Sequence, residues 1–194
     1  MTEFKSDPTR SAKVETVENA VIVSFGTGPA KGISRPAGVF DANGNLVECA
    51  HCWRDSRRKV TIAPPFPAPS SIDGNLSGTW LFGGMLYAHF GHFLCESTGR
   101  LWGVDSVGEK IDGIIFHSKK HVTRPEKFLE PIVPWLKIAG VNLPVSLPVS
   151  PCRVERLLVP DQCFGTGDLI TGTLEYQNFV RNRLGACVAE KGAK

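Results

Sequence analysis

The sequence predicts an α/β fold, a parallel sheet with flanking helices behind an N-terminal β-rich extension, and three observations lead there. Strand-like and helix-like segments alternate from Trp80 onward, the rhythm of a parallel sheet covered by helices. The strand candidates are short, continuous apolar runs, as strands buried on both faces require. The chain before Trp80 has a different texture, with a hairpin signal and a proline-rich stretch. The change divides the chain into an extension and loop over 1–78 and an α/β lobe over 79–194, half of a doubly wound sheet.

Residues 1–18 read as a polar start, and Ala20 to Phe25 as a buried strand. The following Gly26-Thr27-Gly28-Pro29-Ala30-Lys31-Gly32 looks like a phosphate-cradling turn, but such a turn must open a helix whose first amides hold the anion. Here Gly38 to Glu48 follows, and its Asn43-Gly44 pair between apolar runs signals a hairpin. Residues 60–78, with Pro64, Pro65, Pro67 and Pro69, read as a long ordered loop. Trp80–Leu86 suits a strand, 89–102 a helix, and Asp112–His117 a strand. Pro125–Ala139 suits a helix that Pro131 and Pro134 kink or shorten. Val154–Val159 is a further strand, with Val145–Val149 a lesser one. Thr173 N-caps a last helix through about Ala189, with Glu175 in its positive first turn.

Composition excludes several classes. A hydrophobic fraction of 42% and a charged fraction of 21% suit a soluble domain with one core. Net charge is +3, and the basic residues are scattered except for Arg54, Arg57, Arg58 and Lys59, so nucleic acid is not an expected partner. That cluster reads as a solvated loop, with contact to a phosphate or an acidic lipid as the alternative; peripheral membrane association is compatible with it. No run offers a secretory leader or the ~20 apolar residues of a membrane span. The six cysteines read as reduced thiols, which places the protein in the cytoplasm.

The chemistry concentrates between Gly83 and Trp102. On a helix at about 100° per residue, Phe90, Leu94 and Leu101 share one face, with Phe93 and Trp102 on its flanks. His89, His92, Glu96 and Arg100 then gather in an arc of roughly 80° on the other side. They sit beside Gly83 and Gly84 and directly after a strand, where open α/β sheets bind ligands. Such a set can take a proton from a hydroxyl, through Glu96 directly or through His92 held by Glu96. His89 and Arg100 would hold substrate groups, and His117, ending a strand, could face the same cleft. The bland reading is a surface helix carrying a His92–Glu96 pair and a Glu96–Arg100 ion pair. His89, His92 and Glu96 also make a candidate metal site for a hydrolase, without the His-Glu-x-x-His spacing of helix-borne zinc enzymes. Cys49, His51 and Cys52 lack the second ligand pair of structural zinc. His121 reads as solvated, and Cys95 as packing.

The run His89-Phe90-Gly91-His92-Phe93-Leu94-x-Glu96, followed by Arg100-Leu101-Trp102, resembles the signature of family 61 glycosyltransferases, whose bacterial members are often labelled capsular polysaccharide biosynthesis proteins. A weaker match is Phe164-Gly165-Thr166-Gly167-Asp168-Leu169-Ile170, with Glu175-Tyr176 and Phe179-Val180-Arg181 after it. Together the matches span 80–185. The resemblance implies the Rossmann-like, acceptor-side half of a two-lobed GT-B glycosyltransferase. It also implies a saccharide acceptor, a nucleotide-sugar donor, no cofactor or catalytic metal, His92 as motif histidine and Glu96 as motif acid. Arg100 aligns with the family's arginine. Family members continue past the equivalent of Arg183 into a donor-binding lobe, so a chain ending at Lys194 is expected to lack that site. The remaining alternative is a non-catalytic carbohydrate-binding module derived from such an enzyme.

Overall fold

The computed structural model describes residues 11–24, 33–118 and 122–192, with side chains as far as 185. The glycine-rich stretch 26–32, His121 and the Cys187 side chain lie outside the described residues. In chain order the strands are β1 (Val14–Val23), β2 (Arg35–Pro36), β3 (Gly38–Phe40), β4 (Trp53–Asp55), β5 (Arg58–Lys59), β6 (Thr61–Ile62), β7 (Gly74–Leu86), β8 (Gly113–Ser118), β9 (Val145–Ser146) and β10 (Cys152–Pro160). The helices are α1 (Phe90–His92), α2 (Gly103–Ser106), α3 (Pro125–Leu129), α4 (Val133–Ile138) and α5 (Leu174–Gly192), and a π-helical stretch, Phe93–Ser97, continues α1.

The fold is α/β, and its central sheet is mixed. Six strands lie in the order β3-β1-β10-β7-β8-β9. β10, β7, β8 and β9 are parallel, as the apolar runs predict, whereas β1 is antiparallel to both β10 and β3. The expectation of a wholly parallel sheet is therefore corrected. Val14 pairs with Pro160 and Ile22 with Cys152, so β1 closes an edge of β10 that would otherwise be bare. Through β1 and β3, residues from 1–78 share one sheet with the later lobe.

Side-chain alternation separates two core faces. Leu81, Leu86, Ile114, Phe116 and Leu158 point to one, where Phe93, Trp102, Ile132, Leu136, Tyr176 and Phe179 from the connections and helices cover them. Phe82, Met85, Ile115, Leu157 and Val159 point to the other, covered by Ala37, Val39, Val47, Ala50, Cys52 and Val60. Helices thus pack on one side, and the second side is roofed by chain from residues 37–60.

Where expected elements broke, local chemistry explains it. Pro131 and Pro134 divide the expected 125–139 helix into α3 and α4, with Pro134 in the first turn of α4, where its missing N–H costs nothing. The turn at Asn43-Gly44 forms, with Gly44 at φ 83° and the Asp41 carboxylate accepting the Asn43 and Asn45 amides. β7 begins at Gly74, inside the expected loop, because pairing with β10 holds residues 74–79 extended despite their weak strand propensity. The expected 89–102 helix is short and irregular. Phe93, Leu101 and Trp102 are buried, but Phe90 and Leu94 are 45% and 40% exposed, a correction to the expected apolar face. No helix among the described residues is long and apolar enough to cross a membrane.

From β7 the chain steps outward to β8 and β9, and β10 then returns to the other side of β7. The crevice beyond the carboxyl ends of strands at such a reversal is where open α/β sheets hold ligands. Gly83 and Gly84 lie just before it. A Cβ on Gly83 would collide with the Phe116 ring, and Gly84 holds φ 91° at the β7 bulge. Gly83→Ala is expected to cost about 1–3 kcal/mol by overpacking, measured as a lower urea midpoint with unchanged m-value.

Candidate functional site

The site is built from the chain that leaves β7. Tyr87 stays buried, its amide donating to Ser97 Oγ at 3.1 Å. His89 then turns outward, and its carbonyl accepts the Phe93 amide at 2.8 Å to start the helical stretch. His92 Nδ1 lies 2.5 Å from Glu96 Oε1. The Glu96 side chain is 2% exposed and that of His92 42% exposed, so the imidazole is the solvent-facing member of a carboxylate-backed pair. With Nδ1 donating to Glu96, Nε2 is the nitrogen left to accept a proton. The His92 ring stacks on Tyr87, centroids 5.5 Å apart, and His89 meets it edge-on at 5.5 Å. Burial, then the Glu96 carboxylate beside it, push the Tyr87 phenol above its ordinary range.

A second layer closes on the pair from the β4–β5 hairpin. Arg54 Nη2 stands 3.5 Å from the same Glu96 oxygen and offsets part of the cost of burying that carboxylate. Its backbone is fixed by the chain after β10: Arg54 O accepts Thr166 N at 2.8 Å and Thr166 Oγ1 at 2.9 Å. Gln162 brackets Trp53, accepting its amide at 2.9 Å and donating to its carbonyl at 2.6 Å. Asp168 accepts the amide and hydroxyl of Ser56, and Arg58 holds Asp55 below the usual carboxylate range. The Phe164–Ile170 segment and the basic cluster thus reach the His92–Glu96 pair through Arg54.

The arc expected on a regular helix is only partly formed. His92 meets Glu96, and His89 touches only the His92 ring; Arg100 does not join them, because the π-helical stretch and the turn after it break the 100° step. Arg100 is 2% exposed and runs beneath the roof, donating to Pro160 O, to Cys49 O at 2.8 Å and to His51 O at 2.7 Å, with its guanidinium 5.3 Å from the Phe82 ring. His117 is fully buried at the end of β8, paired through Nδ1 with Ser24 Oγ at 3.2 Å and packed edge-on against Phe82. Gly83 and Gly84 are buried and engaged with Phe116 and Arg100. These four positions are occupied by contacts within the protein. Arg54 and Tyr87 were missed as site residues. The alternation Trp53-Arg54-Asp55 ahead of a polar turn was the one signal that a strand, rather than a loop, carries Arg54.

Burial, reinforced by Arg100 and His51, depresses His117 from 6.5 to about 3, and burial also lowers His51. A histidine whose folded value is depressed contributes its stability in full above 6.5 and loses it as pH falls, because the unfolded chain takes the proton first. Stability is therefore expected to fall by about 1.4 kcal/mol per pH unit for His117 alone as pH drops below 6.5, before carboxylates titrate. Denaturant titrations from pH 7 downward read this slope, and His117→Gln should flatten it. A slope unchanged in His117→Gln would assign the pH dependence elsewhere.

Among the described residues no three His, Cys, Asp or Glu side chains converge as a metal-binding group. Glu96 Oε1 faces His92 and Arg54, and His51 pairs with Thr61 Oγ1 at 3.0 Å and Glu48 at 3.4 Å, while Cys49 donates to Glu15. No protein-family model, curated protein or solved structure matches the chain.

Proposed function

We propose that the chain is the acceptor-side lobe of a glycosyltransferase of the family 61 type, with His92 as the base and Glu96 as the group that orients it and stabilises its charged form. The observation that carries this reading is the buried Glu96 carboxylate 2.5 Å behind a half-exposed imidazole, just past the carboxyl end of β7. An acceptor hydroxyl donates to His92 Nε2, and its oxygen forms a bond to the donor's anomeric carbon. The bond from that carbon to the nucleotide's phosphate oxygen breaks, and the phosphate leaves with the electron pair. The proton ends on His92, whose imidazolium the Glu96 carboxylate faces. The position of His89, edge-on to the His92 ring at 5.5 Å, supports a role in contacting an acceptor hydroxyl.

Four parallel strands with a reversal at β7 and β10 support a Rossmann-like half of a GT-B architecture. The reading carries with it a cytoplasmic setting and synthesis of a surface polysaccharide from nucleotide sugars.

The test is calorimetry with oligosaccharides and sugar nucleotides, run with an assay for released nucleoside diphosphate. Oligosaccharide binding that weakens in His89→Ala, with turnover that depends on His92 once a donor-binding lobe completes the transferase, is the expected result. Oligosaccharide binding without turnover in the completed transferase would make the chain a carbohydrate-binding module. No binding of either class would remove the reading.

A further inference from the structure

Leu94, Cys95 and Thr98 flank Glu96 on the same stretch of chain, yet they border a different feature, a cavity of about 700 Å³ between residues 93–101, α4 and α5. Its walls include Phe93, Leu101, Leu136, Phe164, Tyr176 and Phe179. Around its mouth Leu94, Trp135, Ile138 and Leu184 are 38–44% exposed, and Phe90 extends this rim by packing on Trp135 at 4.5 Å.

The polar groups of Thr98, Tyr176 and Gln177 in the lining are already engaged. Thr98 Oγ1 bonds to Leu94 O at 2.8 Å and to the Tyr176 hydroxyl at 2.7 Å, and the Gln177 amide donates to the carbonyls of Thr171 and Gly172. Arg181, on the exposed side of α5 and with Nη1 donating to Asn178 Oδ1 at 3.0 Å, is the one charged residue among the described residues of the lining. A sugar or a nucleobase placed here would leave hydroxyls or amides without partners. A hydrocarbon leaves nothing unpaired, and a single anionic group at its end would meet Arg181. The volume falls within the range of small-ligand pockets, and the three-sided enclosure suits a ligand surrounded by protein better than a flat partner surface.

We infer that this groove binds a single-chain anionic amphiphile, its aliphatic or isoprenoid chain against the aromatic floor and its phosphate or carboxylate head at Arg181. The site stands independently of the transferase reading, since it uses neither His92 nor Glu96.

The probe is dodecyl phosphate below its micellar concentration, titrated into the full chain by calorimetry. The rate of Cys95 alkylation, followed by peptide mass analysis, reports occupancy separately. One equivalent should bind and slow Cys95 alkylation. Ile138→Glu, which brings a carboxylate to the apolar mouth, should weaken binding at least ~10-fold. Arg181→Gln should weaken the phosphate roughly 5-fold and leave dodecanol unaffected. Inorganic phosphate alone should neither bind nor protect Cys95.

Absence of both heat and Cys95 protection in the parent protein overturns the site, whether or not the variants fold. So does unchanged affinity in a folded Ile138→Glu protein, or protection by inorganic phosphate, which would make this a free-anion site. Sedimentation showing a dimer that Ile138→Glu dissolves would give the face to a second copy instead.

Discussion

Arg100→Met is expected to lower the unfolding free energy by on the order of 3–5 kcal/mol, read by urea denaturation. Methionine keeps an apolar stem, so the loss isolates the guanidinium, together with its place over the Phe82 ring. That group donates to the carbonyls of Cys49, His51 and Pro160 in the interior, and without it all three lose a charged donor where water enters poorly. Arg100→Lys should recover only a minority of the loss, since an ammonium is a compact point charge without the planar fork that spans three acceptors. A change below about 1 kcal/mol in Arg100→Met, within the range of surface substitutions, would free Arg100 for a role toward ligand.

Glu96→Gln is expected to reduce turnover at least ~100-fold in the complete transferase, the lower end of what a positioned acid–base pair contributes. Glutamine fits the space and can still meet Arg54, but it cannot stabilise an imidazolium on His92. The loss should fall on kcat more than on KM, and the pH–rate profile should shift with it; a merely structural Glu96 would leave that profile in place. Activity within a few-fold of the parent would assign Glu96 to packing.

What was legible in the sequence follows from how each element is stabilised. β8 and the end of β10 are buried on both sides, so their apolar runs announce them. α3 and α4 were marked by Pro131 and Pro134, whose effect is local. The pairing of β1 with β10 joins residues 130 or more positions apart, and nothing in the alternation of β1 says which edge it will find. The stretch after His89 shows the limit of periodicity. Its spacing fits a regular helix well enough to bring His92 to Glu96, and a π-helical turn then rotates Arg100 into the core. Arg54 was hidden for a different reason: four basic residues in a row of polar neighbours read as solvated, and only the contacts to Thr166 and Gln162 turn that segment inward.

The roof over the second sheet face has a consequence for anyone trimming the gene. A product starting at residue 79 would keep α1–α5 but shed β1, β3, the first residues of β7 and the lid segment. Phe82, Ile115 and Leu157 would then meet water, and β10 would present a naked hydrogen-bonding edge. Such a fragment should clump rather than fold, so the smallest workable unit includes the amino-terminal third of the protein.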